Sequence, residues 1–217
     1  MKFMNIGKVF ILLVVLVSFI FFLLNYGISQ ENELDRRVKQ FLERNKNNWY
    51  NWNIPEVDGK VLYDLIIKNN YKDALEIGTS TGRSTIWIAW ALSKTGGKLI
   101  TIEIDEGRHK KALENIKAAG LEKYVDARLA DAHELVKELE GPFDFIFSDA
   151  DKDWYTNYAK ILLPKLKVGG CFTAHNVRNN FFGVRKFLEY MRSQPNLKTT
   201  INTASRSGIS ISYKVAE

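Results

Sequence analysis

Two apolar runs end in residues able to do chemistry. The run 143–148 is followed by Asp149, and the run 168–174 by His175 and Asn176. As neighbouring parallel strands, the two runs would have their carboxyl ends side by side. A carboxylate, an imidazole and an amide oxygen would then meet above one sheet edge. That donor set suits a divalent cation. Two other readings stay open: His175 as a general base with no metal present, or as a structural residue. Lys152, three residues beyond Asp149, stands at the start of a helix, where it faces either solvent or the same space as Asp149.

A second group lies earlier. Asp73-Ala-Leu-Glu76-Ile-Gly78-Thr79-Ser80-Thr81-Gly82-Arg83-Ser84 sets an acidic residue and two glycines at the exit of a short apolar strand. Glycines there let the backbone turn tightly and approach a ligand, at the edge where doubly wound folds bind cofactors. The spacing ExGxxxG differs from the dinucleotide fingerprint GxGxxG, and no Gly-Lys-Ser/Thr follows, which excludes a P-loop. The next strand ends Thr101-Ile102-Glu103-Ile104-Asp105. A carboxylate at that point is the expected partner of the two ribose hydroxyls of an adenosine cofactor. Each signal is weak alone, but two in register on consecutive strands reinforce one another.

Residues 76–84 and Glu103, with Phe143-Asp-Phe-Ile-Phe-Ser-Asp149-Ala-Asp-Lys152, resemble the class I S-adenosylmethionine-dependent O-methyltransferases. The resemblance is strongest to the cation-dependent group of catechol and caffeoyl-CoA O-methyltransferases and their small bacterial relatives, and it runs from 57 to 214. It implies S-adenosyl-L-methionine as cofactor. Gly78, Thr79, Ser80 and Gly82 would cradle its methionine part and Ser84 would help hold the carboxylate. Glu103 would take the ribose and the Ala130-Asp131-Ala132 turn would border the adenine, with Glu76 and Asp149 in the same binding set. It also implies a divalent cation on Asp149, position 175 and Asn176, chelating two hydroxyls of the acceptor, and Lys152 assisting deprotonation of the acceptor. The family pattern at the metal is Asp…Asp-Asn, whereas His175 occupies the second Asp position here. One carboxylate fewer weakens the case for Mg²⁺ and shifts it toward Mn²⁺, Fe²⁺ or Zn²⁺. The expected reaction is methyl transfer to a hydroxyl of a small aromatic or vicinal-diol acceptor. The alternatives are a membrane-tethered cofactor-binding domain without catalysis and a metal-independent enzyme using His175 as base.

These residues need a scaffold that aligns strand ends. Strands are expected at 73–77, 98–104, 124–129, 143–148 and 168–174. They alternate with helices at 84–94, 106–119, 132–139 and 154–163, the second closed by Gly120 and the last by Pro164. Such alternation indicates an α/β, Rossmann-like doubly wound sheet, mostly parallel. After a helix at 182–192, Thr/Ser/Ile-rich strands at 198–203 and 208–214 bring the count to seven and form a C-terminal antiparallel hairpin. Ahead of the sheet, Leu34, Val38, Phe41 and Leu42 mark an amphipathic helix over 30–47. An aromatic connector follows, then a helix over 59–69. Cys171 and His109 read as core and surface residues. His133 reads as a helix-start residue within reach of the cofactor, and Trp49, Trp52 and Trp154 as core or acceptor-pocket residues.

From Val9 to Leu24 every residue but Ser18 is apolar, which as a helix spans about 24 Å. This predicts a single-pass membrane anchor, with the catalytic part facing the cytosol where the cofactor is made. The alternative is a signal peptide cut near Gly27-Ile28-Ser29, giving an exported protein. The organisation expected is therefore 1–29 anchor, 30–58 helix and connector, 59–217 methyltransferase domain. With 217 residues, 46% apolar and one cysteine, disorder and a disulfide scaffold are excluded. The net charge is +6, and Lys2 and Lys8 flank the apolar run, so the remainder carries only +4. That balance does not call for a nucleic-acid partner. No Asn/Asp-Pro-Pro-aromatic motif and no Pro-Cys pair occurs. A homodimer is left open.

Overall fold

The computed structural model describes residues 33–49 and 52–217, together with Leu16. The expected anchor or signal peptide at 1–29 thus lies outside the described residues, Leu16 apart. Among the described residues no helix is long and apolar enough to cross a membrane. The chain divides into two compact units, 1–44 and 45–217. In the first, residues 33–44 are helical (α1), and Val38 is buried as the amphipathic spacing requires.

The second unit carries the sheet. Its elements are α2 (Glu56–Asn69), β1 (Asp73–Ile77), α3 (Arg83–Thr95), β2 (Lys98–Glu103) and α4 (Glu106–Ala119). They continue with β3 (Val125–Leu129), α5 (Ala132–Glu138), β4 (Phe143–Ser148), α6 (Tyr155–Leu162) and β5 (Leu166–His175). The last are α7 (Phe182–Ser193), β6 (Leu197–Asn202) and β7 (Ile209–Lys214). The strand order is β3-β2-β1-β4-β5-β7-β6. The first five strands are parallel, and β7 runs antiparallel to both β5 and β6. The hairpin does not simply extend the edge in chain order. The later strand β7 inserts next to β5, and β6 is left outermost. Burial explains the choice, since β7 is buried at five of its six positions whereas β6 shows an alternating, half-exposed pattern.

Strand alternation divides the core between the two faces of the sheet. Leu75, Ile146 and Phe172 pack on one side with Tyr155, Tyr158 and Phe187 from α6 and α7. Phe145, Phe147 and Cys171 pack on the other with Leu62, Ile66 and Ile88 from α2 and α3. Truncating one of these fully buried phenylalanines to alanine costs about 3–5 kcal/mol.

Helix ends follow local chemistry. Asp105 caps α4 by accepting the Arg108 amide hydrogen bond, and Gly120 ends it at φ +80°. One boundary differs from expectation with consequence. α2 begins at Glu56, directly after Pro55 in extended geometry, so the expected division at 58/59 falls inside the helix. Asp58 is therefore a first-turn helix residue, and it is buried.

Candidate active site

The exits of β1 and β4 meet at the point where the strand order reverses, the crevice in which such sheets bind ligands. The Asp149 amide donates to Ile77 O at 2.9 Å, and the Gly78 amide to Ile102 O at 3.0 Å. Gly78 has φ +98°, and a Cβ there would lie 3.0 Å from the backbone of Asp149 and Ala150. Only glycine fits both the dihedral and the approach. On the neighbouring exit, Glu103 is buried and heavily bonded. Its Oε1 accepts from the Ile104 and Asp105 amides at 3.1 and 3.0 Å, and from Arg108 Nε and Nη2 at 3.1 and 2.9 Å. Its Oε2 accepts the Ser80 amide at 2.7 Å and keeps acceptor capacity for a ligand hydroxyl. Asp131 caps α5 by accepting the His133 amide at 2.8 Å.

Four residues expected at the cofactor do not line the cavity: Glu76, Thr79, Gly82 and Ser84. They build the turn from beneath. Glu76 is wholly buried, and its Oε2 accepts from the Thr85 and Thr101 hydroxyls at 2.5 and 2.6 Å. Thr79 joins this network through Thr101 at 2.6 Å. Burial raises the Glu76 carboxyl to about 7, with hydrogen bonds from Ser84, Thr101 and Thr85 opposing the rise. The physical reason for this inward packing is desolvation. A carboxyl in this interior needs hydroxyl donors, so Ser84 and the threonines turn inward to supply them. Gly82 instead starts α3 at φ +95°, against Ala112 of α4.

On the β4–β5 side the groups are charged. Lys152 Nζ donates to Asp149 Oδ1 at 2.6 Å and to the carbonyls of Asp149 and Ala150 at 3.2 Å each. Asp149 Oδ2 faces His175 Nδ1 at 3.1 Å, and His175 Nε2 faces Asp58 Oδ2 at 2.8 Å. The Ser205 hydroxyl donates to that same Asp58 oxygen at 2.7 Å. His175 is 3% exposed and Asp58 1%. Burial pulls the His175 imidazole down, but hydrogen bonds to Asp149 and Asp58 and their charges outweigh it, raising the group to about 9. The Tyr155 hydroxyl donates to His175 O at 3.1 Å and holds the end of β5. Asn176 leaves that strand at φ +57°, a conformation asparagine tolerates well.

Both walls face one cavity of about 960 Å³, the upper range for a ligand site. Of the expected residues, Gly78, Ser80, Glu103, Asp131, Ala132, Asp149, Lys152, His175 and Asn176 line it. His133 also lines it and stacks on Trp154, with centroids 3.9 Å apart and planes 18° apart. Trp52 stands at its edge, and Trp49 lies under the Arg83 guanidinium at 5.6 Å.

The adenosine cofactor fits the first wall. Glu103 Oε2 has spare capacity, and Arg83 Nε is buried at the lining with no hydrogen-bond partner among the described residues, suited to a carboxylate. A divalent cation does not fit the second wall. Both Asp149 oxygens and both His175 nitrogens are already engaged with other side chains of this wall. Among the described residues no group of three or more His, Cys, Asp or Glu is arranged to hold a metal ion.

The O-methyltransferase family matches residues 28–194, most of the chain. The chain belongs to this O-methyltransferase family. It is 44% identical over 123 residues to a catechol O-methyltransferase of Niastella koreensis, covering 55% of each. It is 34% identical over 157 residues to a caffeoyl-CoA O-methyltransferase of Medicago sativa, covering 65% of this chain and 63% of that one. It thus spans less than two thirds of the length of these relatives. The O-methyltransferase from Bacillus cereus solved in complex with SAH superposes with a TM-score of 0.73 at 29% identity, covering 82% of this chain and 90% of that one.

This family member has site residues that sequence reasoning missed: Asp58, Arg83, Arg108 and Ser205. Arg108 was detectable in principle, one helical turn after the Asp105 cap and beside Glu103. Asp58 and Ser205 carried no local signal, because Asp58 lies 117 residues from His175 and 147 residues from Ser205.

Proposed function

We propose that this chain is an S-adenosylmethionine-dependent O-methyltransferase acting on a hydroxyl of a small aromatic or vicinal-diol acceptor. The observation that carries the reading is the pairing of two walls in one cavity, a nucleoside-accepting carboxylate opposite an anchored lysine. Family membership and the catechol and caffeoyl-CoA relatives support the same chemistry.

When bound, S-adenosylmethionine supplies the methyl carbon of the new O–C bond, and its sulfur keeps the electron pair of the broken S–C bond. Glu103 Oε2 would accept its ribose hydroxyls and the 130–132 turn with His133 would border the adenine. Arg83 would hold the methionine carboxylate. The Lys152 ammonium, held by three acceptors, meets the acceptor oxygen from the other wall. A cation there favours the oxyanion, drawing a phenol-like hydroxyl down from about 10 by about 1–3 units, so that its proton passes to water. The chain's task is then positioning and charge stabilisation. Trp52 and Phe181, both exposed at the cavity edge, suit a planar acceptor. His175 has no free ring nitrogen in this arrangement, which speaks against its use as the base.

The test is a panel of catechol and hydroxycinnamoyl acceptors with radiolabelled cofactor. Transfer to at least one is expected. Tight cofactor binding with no transfer to any acceptor would favour the catalytically silent alternative. The single-pass anchor at 9–24, with the catalytic part on the cytosolic side, is part of this proposal. Topology reporters fused to each end of the chain distinguish it from export after cleavage.

A further inference from the structure

We infer that two fixed cations of this chain, the Lys152 ammonium and a doubly hydrogen-bonded His175, take the place of a divalent cation at the acceptor end of the cavity, and that Asp58 is the positioning residue that makes this exchange. The inference rests on the methyltransferase reading above and concerns how the acceptor oxygen is met.

Ionised carboxylates only accept hydrogen bonds, so a ring held between Asp149 and Asp58 must donate from both nitrogens. Such a ring has no lone pair for a metal. Asp149 is equally committed, with one oxygen on Lys152 and the other on His175. The four side chains are two carboxylates and two cations with no net charge, and of the carboxylate oxygens Asp58 Oδ1 alone has no partner among the described residues. Their side chains are 4% (His175), 1% (Asp58), 8% (Asp149) and 23% (Lys152) exposed. A dication entering this set would have to displace Lys152 from Asp149 and the proton from His175, breaking the hydrogen bonds that hold both against the buried carboxylates. Lys152, the most exposed of the four, is the member that reaches the acceptor.

Asp58 is held firmly enough to impose this state. Its neighbour Gly59 sits against Trp87, where a Cβ would come within 2.2 Å of the indole, so the first turn of α2 is seated tightly on α3. The Ser205 hydroxyl, from the β6–β7 connection, fixes the same Asp58 oxygen that meets His175. A neutral His175 oriented by Asp58 and offering Nδ1 to a metal is the rival arrangement. Against it, Nδ1 lies within hydrogen-bond distance of Asp149 Oδ2, 3.1 Å, and Lys152 holds the other oxygen of that carboxylate.

The experiment uses the full chain stripped of metal by chelator, with Mn²⁺ as the probe and cofactor binding as the check on folding. Calorimetric or paramagnetic titration is expected to find no stoichiometric Mn²⁺ binding to the wild type. The His175→Asp variant, which restores a second carboxylate, is expected to bind Mn²⁺ at least about tenfold more tightly. Methyl transfer by the wild type should be the same with and without chelator. Asp58→Asn should lower kcat about 10- to 100-fold at unchanged cofactor affinity, with partial rescue by Asp58→Glu. Stoichiometric Mn²⁺ binding by the wild type, or activity lost to chelator and restored by Mn²⁺, would overturn the inference. Failure to methylate any acceptor would count against the methyltransferase reading instead, and the Mn²⁺ titrations would still decide the question of the cation.

Discussion

The β1–β3 side of the cavity and the β4–β5 side are built by different means. On the first, local backbone sets the geometry: Gly78 sits at a positive φ, and the Ser80 and Ile104 amides, with Arg108, lock the Glu103 carboxylate. On the second they are side-chain charges, Asp149, Lys152, His175 and Asp58, drawn from α2 and from two strand ends. Backbone geometry is dictated within a few residues of chain and tolerates little variation. A charge cluster depends on residues far apart in the chain, as His175 depends on Asp58. The first wall is therefore fixed by local backbone geometry, and the second by contacts between distant segments.

Lys152→Met should break the second half alone. We expect kcat to fall about 10²- to 10⁴-fold, with cofactor affinity by calorimetry within about threefold of wild type. Equal losses in both would erase the division between the walls. The complementary change, Glu103→Ala, removes charge-assisted hydrogen bonds. It should weaken cofactor binding about 10- to 100-fold while kcat at saturating cofactor changes only a few-fold.

The two walls should also separate by pH. Glu76, beneath the first wall, has its folded value raised from 4.5 to about 7. Its contribution to stability is full below 4.5 and is lost as pH rises through about 7. His175 is raised from 6.5 to about 9, so its contribution is full below 6.5 and is lost as pH rises through about 9. Glu76→Gln should remove the lower window, leaving the variant more stable than wild type at pH 8 by about 1–3 kcal/mol. Asp58→Asn should flatten the upper window, so that its deficit in thermal midpoint at pH 6 shrinks above pH 9. Melting curves at pH 5, 6, 8 and 9.5 check both, and an unchanged slope in either variant would remove that group from the account. The smallest effect is expected at the cavity edge. Trp52→Ala should raise acceptor KM about two- to fivefold without changing cofactor affinity, since the side chain is 87% exposed and contributes one planar face.

Much of this was legible in advance because it is local. Strand β4 and helix α4 begin and end where the apolar runs, the Asp105 cap and the Gly120 stop indicate. Gly78 and Glu103 stand out as a glycine and a carboxylate at consecutive strand exits, and Asp149 and Lys152 take their place from the family resemblance. Glu76, Thr79, Gly82 and Ser84 were readable as a functional turn but not as its buried underside, because a string of residues does not say which side of a turn faces the ligand. The position of β7 between β5 and β6 likewise depended on which strand the core would bury.

By itself, then, the sequence determined the doubly wound sheet, the cofactor turn and the set of chemically able side chains, since periodicity, glycine dihedrals and strand exits are properties of short segments. Only the tertiary structure decided what His175 touches. Its neighbours Asp58 and Asp149 are 117 and 26 residues away in the chain. Whether an imidazole serves as ligand, base or fixed cation depends on which acceptors the fold sets against its two nitrogens, and that is settled by packing between α2, β4 and β5 rather than by any spacing along the chain.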